Sequence, residues 1–290
     1  MEDFKNYKIE RIIEINNNEY LGKFIRENNL DNSFVTDHFS LFNDSLTSLE
    51  KCHKCTGLES CKQTKKGEIL GIALNPILAN EISYCNYYKA ELLKQKLIKA
   101  YVYSDIPEIY ASVNLQNINV EETDAKNLFV NVYQLLQGKR NKGLYIYGDL
   151  GVGKTYMCIA LANSLVLSGK KVAFIKINNF VTEMANLNRI EPEKYSSTLN
   201  SIKKCEYVIL DDIGSEIVTE FVRDRLLIDL LDYRMENRLC TIFTSNLDKN
   251  TLLKHYANNQ ESIKAKRLME RIDILSDDFC LNGTNKRRAK

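Results

Sequence analysis

From Gly143 onward, short apolar runs alternate with amphipathic stretches. GLYIYG, KVAFIKI, EYVILDD, LCTIFTSN and DDFCLNG read as five strands. Runs that are apolar on both faces belong to a parallel sheet covered by helices. Between them the spacing predicts a helix over 154–168 that stops at Gly169, a long helix over roughly 219–237, and another starting near Lys249. Upstream the pattern differs. Residues 1–50 are polar and Asn-rich, yet Val35, Phe39, Phe42, Leu46 and Leu49 recur at spacings of four and three, the stripe of a buried helix. YYKAELLKQKLIKA, over 87–100, is a run of strong helix formers. Pro107 and the weak helical pattern before Asp124 place a domain boundary near residue 100, so a mainly helical unit over 1–100 and an α/β unit over 101–290 are expected.

Composition narrows this further. With 290 residues, 44% of them apolar and 27% charged, the chain has the balance of an ordinary globular protein with room for two cores. No stretch approaches a membrane span, and the amino terminus lacks the apolar core of a signal peptide, so a cytoplasmic protein with reduced thiols and no membrane partner is expected. A net charge of +2 does not announce a nucleic-acid binder. The tail bearing Lys286, Arg287, Arg288 and Lys290 is locally basic, for which solvation alone is a sufficient reading.

The sharpest chemical signal is Gly148-Asp149-Leu150-Gly151-Val152-Gly153-Lys154-Thr155, a complete P-loop between an apolar strand and a helix. Its glycines let the backbone N–H groups face one point, and the helix amino terminus adds positive potential. Gly148, Gly151, Val152, Gly153, Lys154, Thr155 and the following Tyr156 are therefore candidate nucleotide contacts, with Lys154 reaching the β and γ phosphates and Thr155 offering its hydroxyl to Mg²⁺. The third apolar strand ends in Asp211-Asp212. Asp211 is the candidate Mg²⁺ ligand, and Asp212, on the other side of the chain, the candidate to orient or deprotonate an attacking water. The FTSN strand end offers Asn246 for the γ-phosphate or the water, although an Asn there also suits a helix cap.

Half of the eight cysteines cluster between Cys52 and Cys85. Cys52-x-x-Cys55 has knuckle spacing for two tetrahedral positions of Zn²⁺, and Cys61 and Cys85 can complete the set, with His53 and His38 as substitutes. Burial of four free thiols is disfavoured by the Lys, Glu and Thr around them. Cys158, Cys205, Cys240 and Cys280 sit in apolar segments and read as core.

With these elements in order, residues from about 101 to the end resemble the AAA+ ATPases of the DnaI and DnaC helicase-loader family, through SDIPEIYASV, VILDDIGSE, FTSN, KAKRLMERID and LNGTNKRR. CHKCTGLESCK followed by YCNYYK resembles the zinc-binding, helicase-contacting domain of the DnaI type. The resemblance implies ATP, Mg²⁺ and Zn²⁺ as cofactors. It implies a replicative DnaB-type helicase and single-stranded DNA as partners, and self-association through the AAA+ module. It also implies that Arg267 is an arginine finger, and that Arg287 senses nucleotide. Arg271 shares a helical face with Arg267 and competes for the finger role. Asp212 departs from the Glu found across AAA+ proteins more widely. A transposase-helper ATPase of related fold is the alternative. A metabolic P-loop kinase accounts less well for Asn246 and Arg267, and a zinc adaptor holding ATP without hydrolysing it is a further alternative.

Overall fold

The computed structural model describes residues 2–257 and 262–286. It divides into two compact units, Met1–Leu93 and Lys94–Lys290, and the division falls inside one helix.

The first unit opens with α1 (Glu2–Asn17), α2 (Glu19–Glu27), α3 (Asn32–Asp37) and α4 (Phe39–Lys51). The expected apolar stripe is real but spans two helices. The chain breaks at His38, and Val35 on α3 and Phe42 and Leu46 on α4 are buried together with Ile15, Leu21 and Ile25. Asn18 caps α2 by accepting from the N–H groups of Tyr20 and Leu21. The unit also holds an element that periodicity misses: an antiparallel hairpin of β1 (Glu68–Leu74) and β2 (Leu78–Tyr84). Ile72 and Leu78 join the helical core while much of β2 is exposed, so no clean two-residue alternation marks it. Helix α5 (Asn86–Ala100) follows.

The second unit carries a six-stranded, wholly parallel sheet among the described residues. Its chain order is β3 (Tyr103–Ser104), α6 (Thr123–Leu136), β4 (Gly143–Tyr147), α7 (Lys154–Leu167), β5 (Val172–Lys176), α8 (Ile177–Ile190), α9 (Pro192–Lys203), β6 (Tyr207–Asp211), α10 (Ile228–Glu236), β7 (Cys240–Ser245), α11 (Lys249–Ala257), α12 (Ser262–Leu275) and β8 (Ser276–Cys280). In space the strands run β3-β5-β6-β7-β4-β8. The five expected strands are present, and the two-residue β3 adds an edge beside β5. Helix α7 is buried continuously from Met157 to Val166 between sheet and α6, which explains why it is apolar all round. The expected long helix over 219–237 begins as a π-helix, Phe221–Leu227, before α10. Its wider turns bury consecutive pairs, Val222 with Arg223 and Leu226 with Leu227. Among the described residues no helix is long and apolar enough to cross a membrane.

Strand order decides where chemistry can occur. β6, β7 and β4 are neighbours, with Leu210 paired to Phe243 and Tyr147 to Ser245, so the P-loop, the double Asp and Asn246 leave the sheet side by side at its carboxyl edge. That edge is where open α/β sheets bind ligands.

Candidate functional site

The P-loop leaves β4 and returns as α7, whose N-cap is Gly153. Gly151 is in the left-handed region at φ 83°, which favours glycine, and the Asn285 side chain packs against the space where a Cβ would stand. The Lys154 ammonium donates to the carbonyls of Gly148 and Asp149 at 2.7 and 2.8 Å and to Asn246 Oδ1 at 2.9 Å. Asn246 Nδ2 in turn donates to Asp212 Oδ1 at 2.7 Å. One amide thus ties the P-loop lysine to the second carboxylate of the acidic strand end.

Beside this chain lies a second one. Thr155 Oγ1 donates to Asp211 Oδ1 at 2.8 Å, and Thr244 Oγ1 donates to the same oxygen at 2.7 Å. Asp211 is buried, which pushes its carboxyl up, while the hydroxyls of Thr244 and Thr155 oppose that shift. A buried carboxylate within hydrogen-bond distance of the P-loop threonine suits a divalent cation that takes few protein ligands and several oxygens from water and phosphate, so the residues present fit Mg²⁺. Thr244 does more: its Oγ1 also accepts the Asp212 N–H at 2.9 Å, so one hydroxyl orients both acids. Nothing in the sequence singles out Thr244, although it lies two residues before Asn246, at the end of β7.

The site opens into a cavity of about 920 Å³ lined on its apolar side by Tyr110, Ile118, Val120 and Tyr156. Tyr110 and Tyr156 meet edge to face at 6.1 Å between ring centroids. Val152, within the loop, is buried. The segment 281–286 crosses the P-loop: the Lys286 N–H donates to the Gly151 carbonyl at 3.0 Å, and Thr284 Oγ1 donates to Glu122 Oε1 at 2.8 Å. Lys286 lines the cavity, whereas Arg287, expected to sense nucleotide, lies outside the described residues.

Arg267 and Arg271 occupy one face of α12 as expected but differ in their surroundings. The Arg271 side chain is 14% exposed and donates to Asp232 Oδ1 at 2.6 Å and to Glu270 Oε2 at 2.8 Å. That of Arg267 is 56% exposed, with Asp232 Oδ2 at 3.4 Å.

The four clustered cysteines come to one end of the hairpin. Cys61 Sγ accepts the Gly67 N–H at 3.4 Å, and the Cys85 N–H donates to the Gly67 carbonyl at 2.8 Å, so β1 and β2 return Cys85 to the turn that holds Cys61. Cys52 and Cys55 share a turn closed by the Cys55 N–H on the Cys52 carbonyl, and Tyr87 Oη donates to the Cys55 carbonyl at 3.4 Å. The sulfurs themselves are not gathered. Cys52 Sγ accepts from Gln63 Nε2, Cys55 Sγ donates to the Gly57 carbonyl, and among the described residues no three His, Cys, Asp or Glu side chains form a group able to hold a metal ion. The expected zinc ligand set is therefore not formed as the thiols stand. His38 is used elsewhere, stacked on Phe34. Cys158, Cys205 and Cys240 are buried as expected, but Cys280 is exposed at the end of β8 and is not core.

Residues 111–286 match the family described as "IstB-like ATP binding protein". The chain is 29% identical over 279 residues to the replicative helicase loader DnaI of Bacillus subtilis (strain 168), covering 91% of this chain and 88% of that protein. The solved structure of DnaI aligns with a TM-score of 0.56 at 30% identity, over 66% of this chain and all of that one. The replicative helicase loader DnaC of Buchnera aphidicola subsp. Baizongia pistaciae (strain Bp) is 24% identical over 152 residues, covering 50% of this chain and 60% of that protein.

Proposed function

The chain belongs to the DnaI/DnaC family of helicase loaders with an IstB-like AAA+ domain, and from that premise we propose that it hydrolyses ATP to place a replicative DnaB-type helicase on single-stranded DNA in the cytoplasm. The observation that carries the reading is the linked pair of hydrogen-bond chains, Lys154–Asn246–Asp212 and Thr155–Asp211–Thr244, at the carboxyl edge of three adjacent strands. A site that merely binds nucleotide has no need of a second carboxylate held beside the first by a polar strand end. In the proposed cycle Lys154 neutralises phosphate charge, Asp212 orients and deprotonates the attacking water, and Asn246 fixes the distance between them. Thr155 and Asp211 would hold Mg²⁺, which supplies charge neutralisation at the β and γ oxygens when bound.

Arg267 is the proposed finger acting in trans on a neighbouring protomer, because Arg271 is mostly covered and held by Asp232 and Glu270, while Arg267, with its longer contact to Asp232, stays largely exposed. Zinc on Cys52, Cys55, Cys61 and Cys85 is part of the same proposal. It is supported by the turns that bring Cys61 and Cys85 to Gly67 and by the N–H donors on Cys61 and Cys85 sulfurs, and it requires the thiols to turn toward one another. The transposase-helper reading is the weaker one: the IstB-like match is confined to 111–286, whereas the likeness to the DnaI loader takes in 279 residues and so reaches the amino-terminal unit.

Co-purification of the full chain with the replicative helicase of its own cell, with and without ATP, tests this. The expected result is an ATP-dependent complex whose ATPase rises with single-stranded DNA. Absence of any helicase association, or turnover indifferent to both partners, would overturn it.

A further inference from the structure

We propose that Glu216 and Tyr256 form a buried clamp that positions Asp212, so that a side chain on α11, remote from the phosphates, sets the turnover rate. The proposal rests on the reading of Asp212 as the group that acts on water.

Asp212 is a non-glycine residue in the left-handed region, at φ 64°, two residues before Gly214 at φ 89°. Such a backbone persists only where the surroundings hold it. β7 supplies half of the hold. Thr244 Oγ1 accepts the Asp212 N–H, the Thr244 carbonyl accepts the Ile213 N–H at 2.8 Å, and Ser245 Oγ donates to the Ile213 carbonyl at 2.7 Å. The other half comes from the far side of the turn. Glu216 is 1% exposed, and its carboxylate reaches back so that Oε2 accepts the Gly214 N–H at 2.8 Å. Its Oε1 accepts the hydroxyl of Tyr256, a wholly buried side chain on α11. The clamp is anchored again at Tyr256, whose carbonyl accepts Arg223 Nη1 at 3.2 Å from the π-helix, and by His255 Nε2 at 3.2 Å from the Glu216 carbonyl. A Cβ on Gly214 would lie 2.6 Å from Leu252 Cδ1, so the turn also sits directly on α11.

Burying a carboxylate and a phenol together is expensive unless both are satisfied, and here they satisfy one another and the turn. Neither hydrogen-bonds to the P-loop or lines the nucleotide cavity. What they share is the four-residue turn that starts at Asp212. With the phenol hydroxyl gone, the carboxylate can swing away from Gly214, and the left-handed turn relaxes toward ordinary backbone. The Asp212 side chain then leaves its hydrogen bond with Asn246. Nucleotide affinity, which depends on Lys154 and the P-loop, is untouched.

The test uses the full chain with helicase and single-stranded DNA. Tyr256→Phe should lower kcat about ten-fold while KM for ATP and affinity for a non-hydrolysable ATP analogue stay within about two-fold. Affinity for ADP with aluminium fluoride, which mimics the attacking-water geometry, should fall in Tyr256→Phe and in Asp212→Asn, and the double variant should bind it no more weakly than Asp212→Asn alone. Glu216→Gln, which keeps an acceptor for Gly214 and a group to meet the phenol, should recover most of the kcat lost in Glu216→Ala, and it serves as the readout should Tyr256→Phe fail to fold. Parental kcat in Tyr256→Phe beside lost turnover in Asp212→Asn overturns the clamp alone. A further drop in the double variant also overturns it. Parental turnover in Asp212→Asn overturns instead the assignment of the base.

Discussion

Thr244 joins two acids for which different tasks are proposed, and its single hydroxyl can be removed without changing side-chain size. In Thr244→Val the Asp211 carboxylate loses one of the two hydroxyl donors opposing its burial, and the Asp212 N–H loses its acceptor. Kcat should fall by roughly ten- to a hundred-fold, with a stability loss of about 1–3 kcal/mol for the orphaned buried groups; steady-state kinetics and thermal unfolding measure the two effects separately. Lys154→Ala should abolish analogue binding, whereas Asp212→Asn should bind the analogue as the parent does and stop turnover; equilibrium titration beside an ATPase assay separates them. That Lys154, Thr155, Asp211 and Asp212 share one site is legible in the sequence, because a P-loop and an acidic strand end are set by local backbone geometry. The places of Thr244, Glu216 and Tyr256 are not. Their roles are set by partners about thirty to forty residues away, and a threonine in a strand or a tyrosine on a helix has an ordinary packing role until those partners are known.

At the level of elements, α12 separates two arginines that the sequence could only place on one face. Arg271, tied to Asp232 and Glu270 and mostly covered, should act on stability: Arg271→Ala is expected to cost about 1–2 kcal/mol and lower the melting temperature with little change in assembled turnover. Arg267, largely exposed, should cost well under about 1 kcal/mol of stability. Its loss should nonetheless reduce assembled ATPase by about a thousand-fold. Mixing Arg267→Ala with Lys154→Ala chains in the presence of helicase should restore activity at interfaces that pair an intact loop with an intact finger; mixed assemblies that stay inactive would refute action in trans. The hairpin β1–β2 shows where periodicity fails. EILGIAL is an apolar run too short to tell strand from buried helix by periodicity, and LANEISY, largely exposed, keeps no strict alternation, so the pairing of the two is not marked. The π-helix before α10 likewise leaves no mark in a pattern that assumes 3.6 residues per turn.

Across the whole molecule, the amino-terminal unit has an apolar core of its own around Ile15, Leu21, Phe42 and Leu46, apart from the cysteine turns. One zinc per chain is the expected content by elemental analysis, lost in Cys52→Ser, and its removal should loosen the turns around Cys52–Cys61 and Cys85 and weaken helicase capture. Metal-free protein that captures helicase as well as the parent would remove zinc from the account. The order in which the ribosome delivers the sheet bears on the nucleotide site in another way. β4, which carries the P-loop, lies between β7 and β8, and β8 begins at Ser276, about 130 residues after β4 ends at Tyr147. At roughly 10 residues per second, that strand waits on the order of ten seconds for its outer neighbour. During that interval its edge is an unpaired template on a nascent chain, and the site it carries is expected to be incomplete. Chains ending after Leu275 should therefore be readily proteolysed, aggregate during synthesis and fail to bind ATP analogue, whereas analogue binding at parental affinity by such a chain would show that the P-loop matures before its sheet is complete.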